Sequence, residues 1–165
     1  TYGMARVRNG LELTGANGTA QIQNWTMQTA QVRYRKNKFF AQAFGNLSNA
    51  GNEDEADLNG TFLLRTGQPI VDRSRLGAVQ FQQGIDWGTR QTFLVGGEGV
   101  FTRPETEGTI NGRNEEDDNI NEAGGYVHSV TRLSPKWEVV SALRVDVNSR
   151  LDGRFYSPRA ALVWK

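Results

Sequence analysis

At 165 residues the chain has the length of one ordinary domain, and nothing in its composition forces a division, so 1–165 is treated as a single unit. Apolar residues make up 37%, below the ~45–50% of soluble domains, and Gly alone contributes 19 residues, which leaves little material for a dry, closed core. The net charge of +1 lacks the basic excess of a nucleic-acid surface, and the absence of cysteine excludes disulfide scaffolds, Cys-based zinc sites and thiol catalysis.

Period-two alternation is the dominant signal along the chain. Residues 4–14, 19–34 and 39–48 follow it in outline, with the basic cluster Arg33, Arg35, Lys36 and Lys38 around the junction of the last two. Residues 78–88 sort cleanly, with Val79, Phe81, Gln83, Ile85 and Trp87 on one side and Ala78, Gln80, Gln82, Gly84, Asp86 and Gly88 on the other. Over 92–103, Phe93, Val95, Gly97, Gly99 and Phe101 oppose Thr92, Leu94, Gly96, Glu98, Val100 and Thr102. Residues 123–133 alternate more weakly. Over 136–148, Trp137, Val139, Ser141, Leu143, Val145 and Val147 oppose Lys136, Glu138, Val140, Ala142, Arg144, Asp146 and Asn148. The last run, 154–164, gathers Tyr156, Pro158, Ala160, Leu162 and Trp164 on one side. A helix would scatter these charges around its circumference, whereas strands sort them. Most of the runs exceed the usual ~5–6 residues of a globular strand and match the ~9–11 of a tilted bilayer crossing. No stretch approaches the ~20 apolar residues of a spanning helix, so a membrane role falls to strands.

Connections carry the second signal. Residues 35–38, 88–90 and 134–136 read as tight turns, and between them lie the long polar connections 49–75 and 104–122. In a meander alternate connections share an end, so tight turns gather at one end and long loops at the other, as in outer-membrane barrels with short periplasmic turns. The short link 148–153 departs from this by falling at the long-loop end. Phe39, Phe40, Trp87, Phe93, Trp137 and Trp164 stand near strand ends, where rings favour a membrane interface. The expected architecture is all-β: an antiparallel up-and-down meander of about eight long strands of transmembrane β-barrel type, either a partial barrel or a small closed one. Val79, Phe81, Ile85, Trp87, Phe93, Val95, Phe101, Trp137, Val139, Leu143 and Val145 are assigned to lipid. Gln80, Gln82, Asp86, Glu98, Arg144 and Asp146 are assigned to a wet lumen, because burying such groups unpaired in a sandwich is costly.

Of 18 acidic residues, 11 fall within 49–60 and 104–122. Glu53, Asp54, Glu55 and Asp57 in one loop, with Arg113, Glu115, Glu116, Asp117 and Asp118 in the other, are the candidate ligand-binding residues. The run 114–119 lacks the alternating-Asp spacing of a calcium loop and reads as solvated; two acidic loops at one mouth would favour cationic solutes by focusing. His128 is the sole histidine, and its neighbour Ser129 faces the opposite side of a strand, so a serine triad does not assemble there. The Gly96-Gly97-Glu98-Gly99 run precedes no helix, which a phosphate loop requires, and suggests a bend or bulge. Asp86 lies close to the 88–90 turn and Glu98 far from it, which separates them as a carboxylate pair. No enzyme, metal site or cofactor is expected. The residue 59–70 stretch, with Phe62, Leu63 and Leu64, is locally apolar and suited to fold into a lumen or onto a barrel rim.

The stretch Asp86-Trp87-Gly88-Thr89-Arg90-Gln91-Thr92-Phe93-Leu94-Val95-Gly96-Gly97-Glu98-Gly99-Val100-Phe101, continuing through Thr102-Arg103-Pro104 to Gly112-Arg113, resembles barrel strands of TonB-dependent outer-membrane receptors. Asn119-Ile120-Asn121-Glu122 and Gly124-Gly125-Tyr126-Val127-His128-Ser129 continue the likeness. Phe155-Tyr156-Ser157-Pro158-Arg159-Ala160-Ala161-Leu162-Val163-Trp164-Lys165 is similar to a strand from the middle of such barrels, and the likeness spans about 7–165. In that family a plug and an energy-coupling box precede a barrel of about 22 strands. The resemblance implies an interior segment of such a barrel in a bacterial outer membrane, forming wall and extracellular loops for uptake of a siderophore or carbohydrate. Its implied partners are outer-membrane lipid, the remaining barrel with its plug, and a small-molecule nutrient, with no nucleic acid. The alternative is a self-contained eight-stranded barrel or sandwich acting as a non-enzymatic binding or structural module.

Overall fold

The computed structural model describes residues 1–14, 18–50, 61–109 and 119–165, which form an antiparallel meander without helices. Its strands are β1 (Tyr2–Thr14), β2 (Gly18–Lys36), β3 (Phe39–Asn49), β4 (Phe62–Leu63), β5 (Arg75–Trp87), β6 (Gln91–Arg103), β7 (Ile120–Arg132), β8 (Trp137–Asn148) and β9 (Leu151–Trp164). All belong to one sheet of order β1-β2-β3-β5-β6-β7-β8-β9, with β4 attached to β2. The order is open, with β1 and β9 as its ends, so the small closed barrel that eight strands permit is not the form adopted. Its packing divides into two compact units, one of residues 1–31, 44–77 and 101–119, the other of 32–43, 78–100 and 120–165.

In the first unit β1 and β2 pair from Tyr2↔Ala30 to Thr14↔Gly18. β4 pairs with β2 at Ala20↔Leu63 and Gln21↔Phe62. The apolar part of the long connection thus joins the sheet as a strand. Around β4 the chain makes a small hairpin: Gly67 N–H donates to Leu63 O (2.7 Å), Leu63 N–H to Gln68 O (2.8 Å), and Phe62 bridges Pro69. Gly67 supplies the left-handed φ of 69° that this turn requires. The chain then runs back extended: Ala50 N–H donates to Asp72 O (2.8 Å), Ser48 N–H to Ser74 O (2.9 Å), and Arg73 N–H to Glu105 O (2.9 Å). These bonds satisfy the backbone of a segment that composition alone presents as a polar loop. Ala20, Ile22, Ala50, Thr61, Val71 and Thr106 are buried here, and the Thr61 hydroxyl donates to Ala50 O at 2.8 Å. The core is therefore built from small and β-branched residues. Among the described residues no large side chain is fully buried, as the low apolar content leads one to expect.

In the second unit β7 and β8 pair from Glu122↔Asn148 to Arg132↔Glu138. β8 and β9 pair from Trp137↔Trp164 to Asp146↔Phe155, then slip across a bulge to Asn148↔Leu151. Gly153, at φ 97°, lies beside that slip. The link between β8 and β9 is only Ser149 and Arg150, tighter than the alternation suggests; Asn148 Oδ1 accepts from Arg150 N–H (2.8 Å) and closes an Asx turn. The turns expected at 35–38, 88–90 and 134–136 are present, with Asn37 (φ 53°) and Gly88 (φ 64°) taking left-handed positions. Arg132 N–H donates to Arg90 O (2.7 Å), which sets two of these turns side by side.

Backbone bonding alternates along an antiparallel pair. Leu133 N–H to Trp137 O and Ser149 N–H to Asn121 O direct the odd residues of β8 at β7; Lys165 N–H to Lys136 O directs its even residues at β9. On β9 the odd residues from Phe155 to Val163 therefore bond inward, and Tyr156, Pro158, Ala160, Leu162 and Trp164 point their backbone groups away from β8. All 14 residues of β9 are exposed.

Candidate functional site: a two-faced sheet

Register fixes the two faces of the second unit. Trp137, Val139, Leu143 and Val145 of β8 stand opposite Trp164, Leu162, Pro158 and Tyr156 of β9, and Val127 of β7 lies opposite Leu143. On the other face Arg144 is flanked by Tyr126 and Ser157, and Asp146 by Gly124 and Phe155. His128 is on this second face opposite Ala142, within an ordinary strand.

Arg144 is the centre of the polar face. Its Nη2 reaches Glu98 Oε1 on β6 at 2.5 Å and Asp146 Oδ1 at 2.7 Å, while Nε donates to Asp146 Oδ2 at 2.8 Å. One guanidinium thereby binds carboxylates on two strands in the forked geometry that arginine favours. Gly124 makes this possible: a Cβ there would lie 2.6 Å from Arg144 Nη2. Tyr126 lies over Gly96, where a Cβ would come within 2.5 Å of the ring tip and 2.7 Å of Phe81 O, and the Tyr126 hydroxyl donates to Gln82 Oε1 at 3.4 Å. The run from Gly96 to Gly99 belongs to uninterrupted β6, none of it with a left-handed φ. The missing side chains of Gly96 and Gly97 make room for the rings of Tyr126 and Phe81. Glu98, Glu122, Arg144, Asp146, Leu151 and Phe155 take part in lining a cavity of about 310 Å³.

Toward the turns the polar face continues as ion pairs: Lys38 with Asp86, Arg132 with Glu138 (3.3 Å) and Lys165 with Glu138 (2.6 Å). The Thr92 hydroxyl donates to Asp86 Oδ1 at 3.4 Å. Asp86 and Glu98 therefore have separate cationic partners and form no carboxylate pair. Aromatic pairs mark the same strand ends, with ring centroids 6.1 Å apart for Tyr34–Phe39 and Trp87–Phe93 and 6.4 Å for Trp137–Trp164.

The two residue sets differ in exposure, the apolar set being the more exposed. Of the apolar set, Val79, Phe81, Ile85, Trp87, Val95, Phe101, Trp137 and Leu143 are exposed, Trp87 at 73%, while Phe93, Val139 and Val145 are half-buried. Of the polar set, Gln80, Gln82, Glu98, Arg144 and Asp146 are half-buried and only Asp86 is exposed. The structure brings Glu98, Arg144 and Asp146 into one network and ties Gln82 to it through Tyr126; Gln80 has no such link. Gly96, Gly124, Tyr126 and Lys38 are the participants that alternation alone did not single out, since their roles depend on which strand lies opposite. The candidate loop residues Glu53, Asp54, Glu55, Asp57, Arg113, Glu115, Glu116, Asp117 and Asp118 lie outside the described residues. No family model, curated protein or solved structure matches the chain.

Proposed function

We propose that the chain forms part of the β-barrel of a TonB-dependent outer-membrane receptor for nutrient uptake, supplying barrel wall and extracellular loops in a bacterial outer membrane. The observation that carries this reading is the pair of unlike faces, one bearing large exposed apolar side chains and the other a network of charges. A lipid-facing wall has that distribution, because hydrocarbon takes the place of a protein core. Aromatic pairs at the turn ends suit an interfacial girdle, and the resemblance of 86–113 and 155–165 to receptor strands supports the family. Outer-membrane lipid would cover the face of Val79, Phe81, Leu143 and Trp137; the remaining barrel and plug would complete the wall; and a siderophore or carbohydrate would pass on the side of Arg144. No catalytic step is proposed.

The test is to purify the whole chain and compare its folding in detergent-free buffer with folding in lipid carrying brominated acyl chains. Strand content only in the lipid, with quenching of Trp87, Trp137 and Trp164 fluorescence, is the expected result. A folded monomer in plain buffer whose tryptophans escape quenching would sink the membrane reading and favour a soluble sandwich. For uptake, a full receptor containing these strands should lose ligand accumulation, but not ligand binding, when its energy-coupling partner is deleted.

A further inference from the structure

We infer that Lys36, with Tyr34 and Phe39 beside it, binds the phosphate of a net-anionic phospholipid at the turn end of the apolar face. This rests on the membrane reading and adds which lipid that face selects and where. All the residues involved belong to the second unit. Lys38 is ion-paired with Asp86, and Gly84 N–H donates to Lys38 O at 2.9 Å. Lys38 therefore shares the polar face of β5, and Phe39, the next residue, takes the other face opposite Gln83. Across the turn at 37–38 the Tyr34 ring packs on Phe39 with centroids 6.1 Å apart, whereas Arg33 Nε donates to Gln42 Oε1 at 3.2 Å. Tyr34 and, two residues on, Lys36 thus stand on the face of Val79, Phe81, Ile85 and Trp87, and Arg33 stands on the polar one.

A charge is out of place there. The alternate residues of that face from Val79 to Trp87, from Gln91 to Gly99 and from Trp137 to Val147 include no charged side chain. The other cations of the turn end lie on the polar face with carboxylate partners, Lys38 on Asp86 and both Arg132 and Lys165 on Glu138. Lys36 is exposed and forms no ion pair among the described residues. A lysine so placed lays its methylenes along neighbouring apolar groups and carries its ammonium to the polar boundary. Lys36, Tyr34, Phe39 and Gln83 take part in lining a cavity of about 520 Å³, within the ~300–1,000 Å³ of small-molecule sites. The lining matches a phospholipid's own division. Its glycerol and upper acyl chain would rest on the two rings, and its phosphate would take the Lys36 ammonium and the Tyr34 hydroxyl as donors. A net-anionic headgroup is favoured over a zwitterionic one, whose phosphate already has a cation within the same headgroup.

To test this, the whole chain, folded in neutral detergent micelles, is titrated with short-chain phosphatidylglycerol or phosphatidylcholine, and bound lipid is counted by native mass spectrometry. The first phosphatidylglycerol should bind in preference to phosphatidylcholine. Lys36→Gln should weaken that binding about fivefold, the contribution of one lysine beside an anionic headgroup, and Lys36→Arg should keep it. Lys165→Gln removes the same charge at the same end but from the polar face, and should leave binding unchanged. No preference for phosphatidylglycerol, or an equal loss in Lys36→Gln and Lys165→Gln, overturns the site. Equally tight binding of glycerol phosphate overturns the lipid in favour of a soluble phosphate. A chain that folds as a monomer in plain buffer with unquenched tryptophans removes the membrane reading and this site with it. A chain that folds in lipid without the preference loses only the site.

Discussion

At Gly96 the missing Cβ leaves the space taken by the Tyr126 ring, and at Gly124 it leaves the space taken by Arg144 and Asp146. The two sites differ in what an added methyl would meet. At Gly124 the obstacles are the far ends of flexible side chains; at Gly96 one of them is the backbone oxygen of Phe81. Gly96→Ala should therefore lower stability by about 1–3 kcal/mol, the cost of forcing atoms into a filled space. Urea unfolding of the lipid- or micelle-folded chain measures this, and a change indistinguishable from zero would show that the ring does not rest there. Arg144→Met tests the network in another way, because it leaves Glu98 and Asp146 facing each other without their shared cation. With each of these side chains about a third exposed, the loss should be only about 1 kcal/mol. Adding Glu98→Gln should recover most of it; a double variant no better than the single one would mean that repulsion between the carboxylates is not the cause.

On β9, sequence and bonding direction combine into an expectation for the whole strand. Amides of Ser157, Arg159, Ala161 and Val163 bond to β8 and should exchange slowly with deuterium. Those of Tyr156, Ala160, Leu162 and Trp164 point away and should exchange fast unless another strand covers them. Uniform protection along β9 would show that its outer edge is paired in solution. Pro158 falls on an outward position, where its lack of an N–H removes no bond to β8, consistent with the restriction of proline to strand edges. The placement of the strands was legible from alternation because charges on Arg144 and Asp146 cannot share a side with Leu143 and Val145 without giving up period two. Ends were less legible: β1 and β5 begin earlier, at Tyr2 and Arg75, because pairing with a neighbour extends a strand beyond its own pattern. β4 was read only as an apolar stretch in a loop. Two residues carry no periodicity, and only the vacant row on β2 makes them a strand.

At the scale of the whole sheet, an open order of strands and, among the described residues, a shortage of buried bulk agree with the composition, in which apolar residues are few and glycines many. The polar network was half legible: alternation placed Gln82, Glu98, Arg144 and Asp146 on one side, but the pairing of Glu98 with Arg144 required knowing that β6 and β8 flank the same glycine. Finally, the union of β4 with β2 makes the connection between β3 and β5 a poor place for chance variation in length along the segment it pairs. A short epitope tag inserted after Thr66, at the tip of the small hairpin, should be displayed with the parent's melting temperature preserved. The same tag between Val71 and Asp72 should displace the bond from Ala50 N–H to Asp72 O and lower that temperature by several degrees. If both insertions are tolerated alike, the hairpin is decoration on the sheet; if only the first is, natural relatives of this chain should keep residues 68–74 fixed in length while the hairpin tip varies.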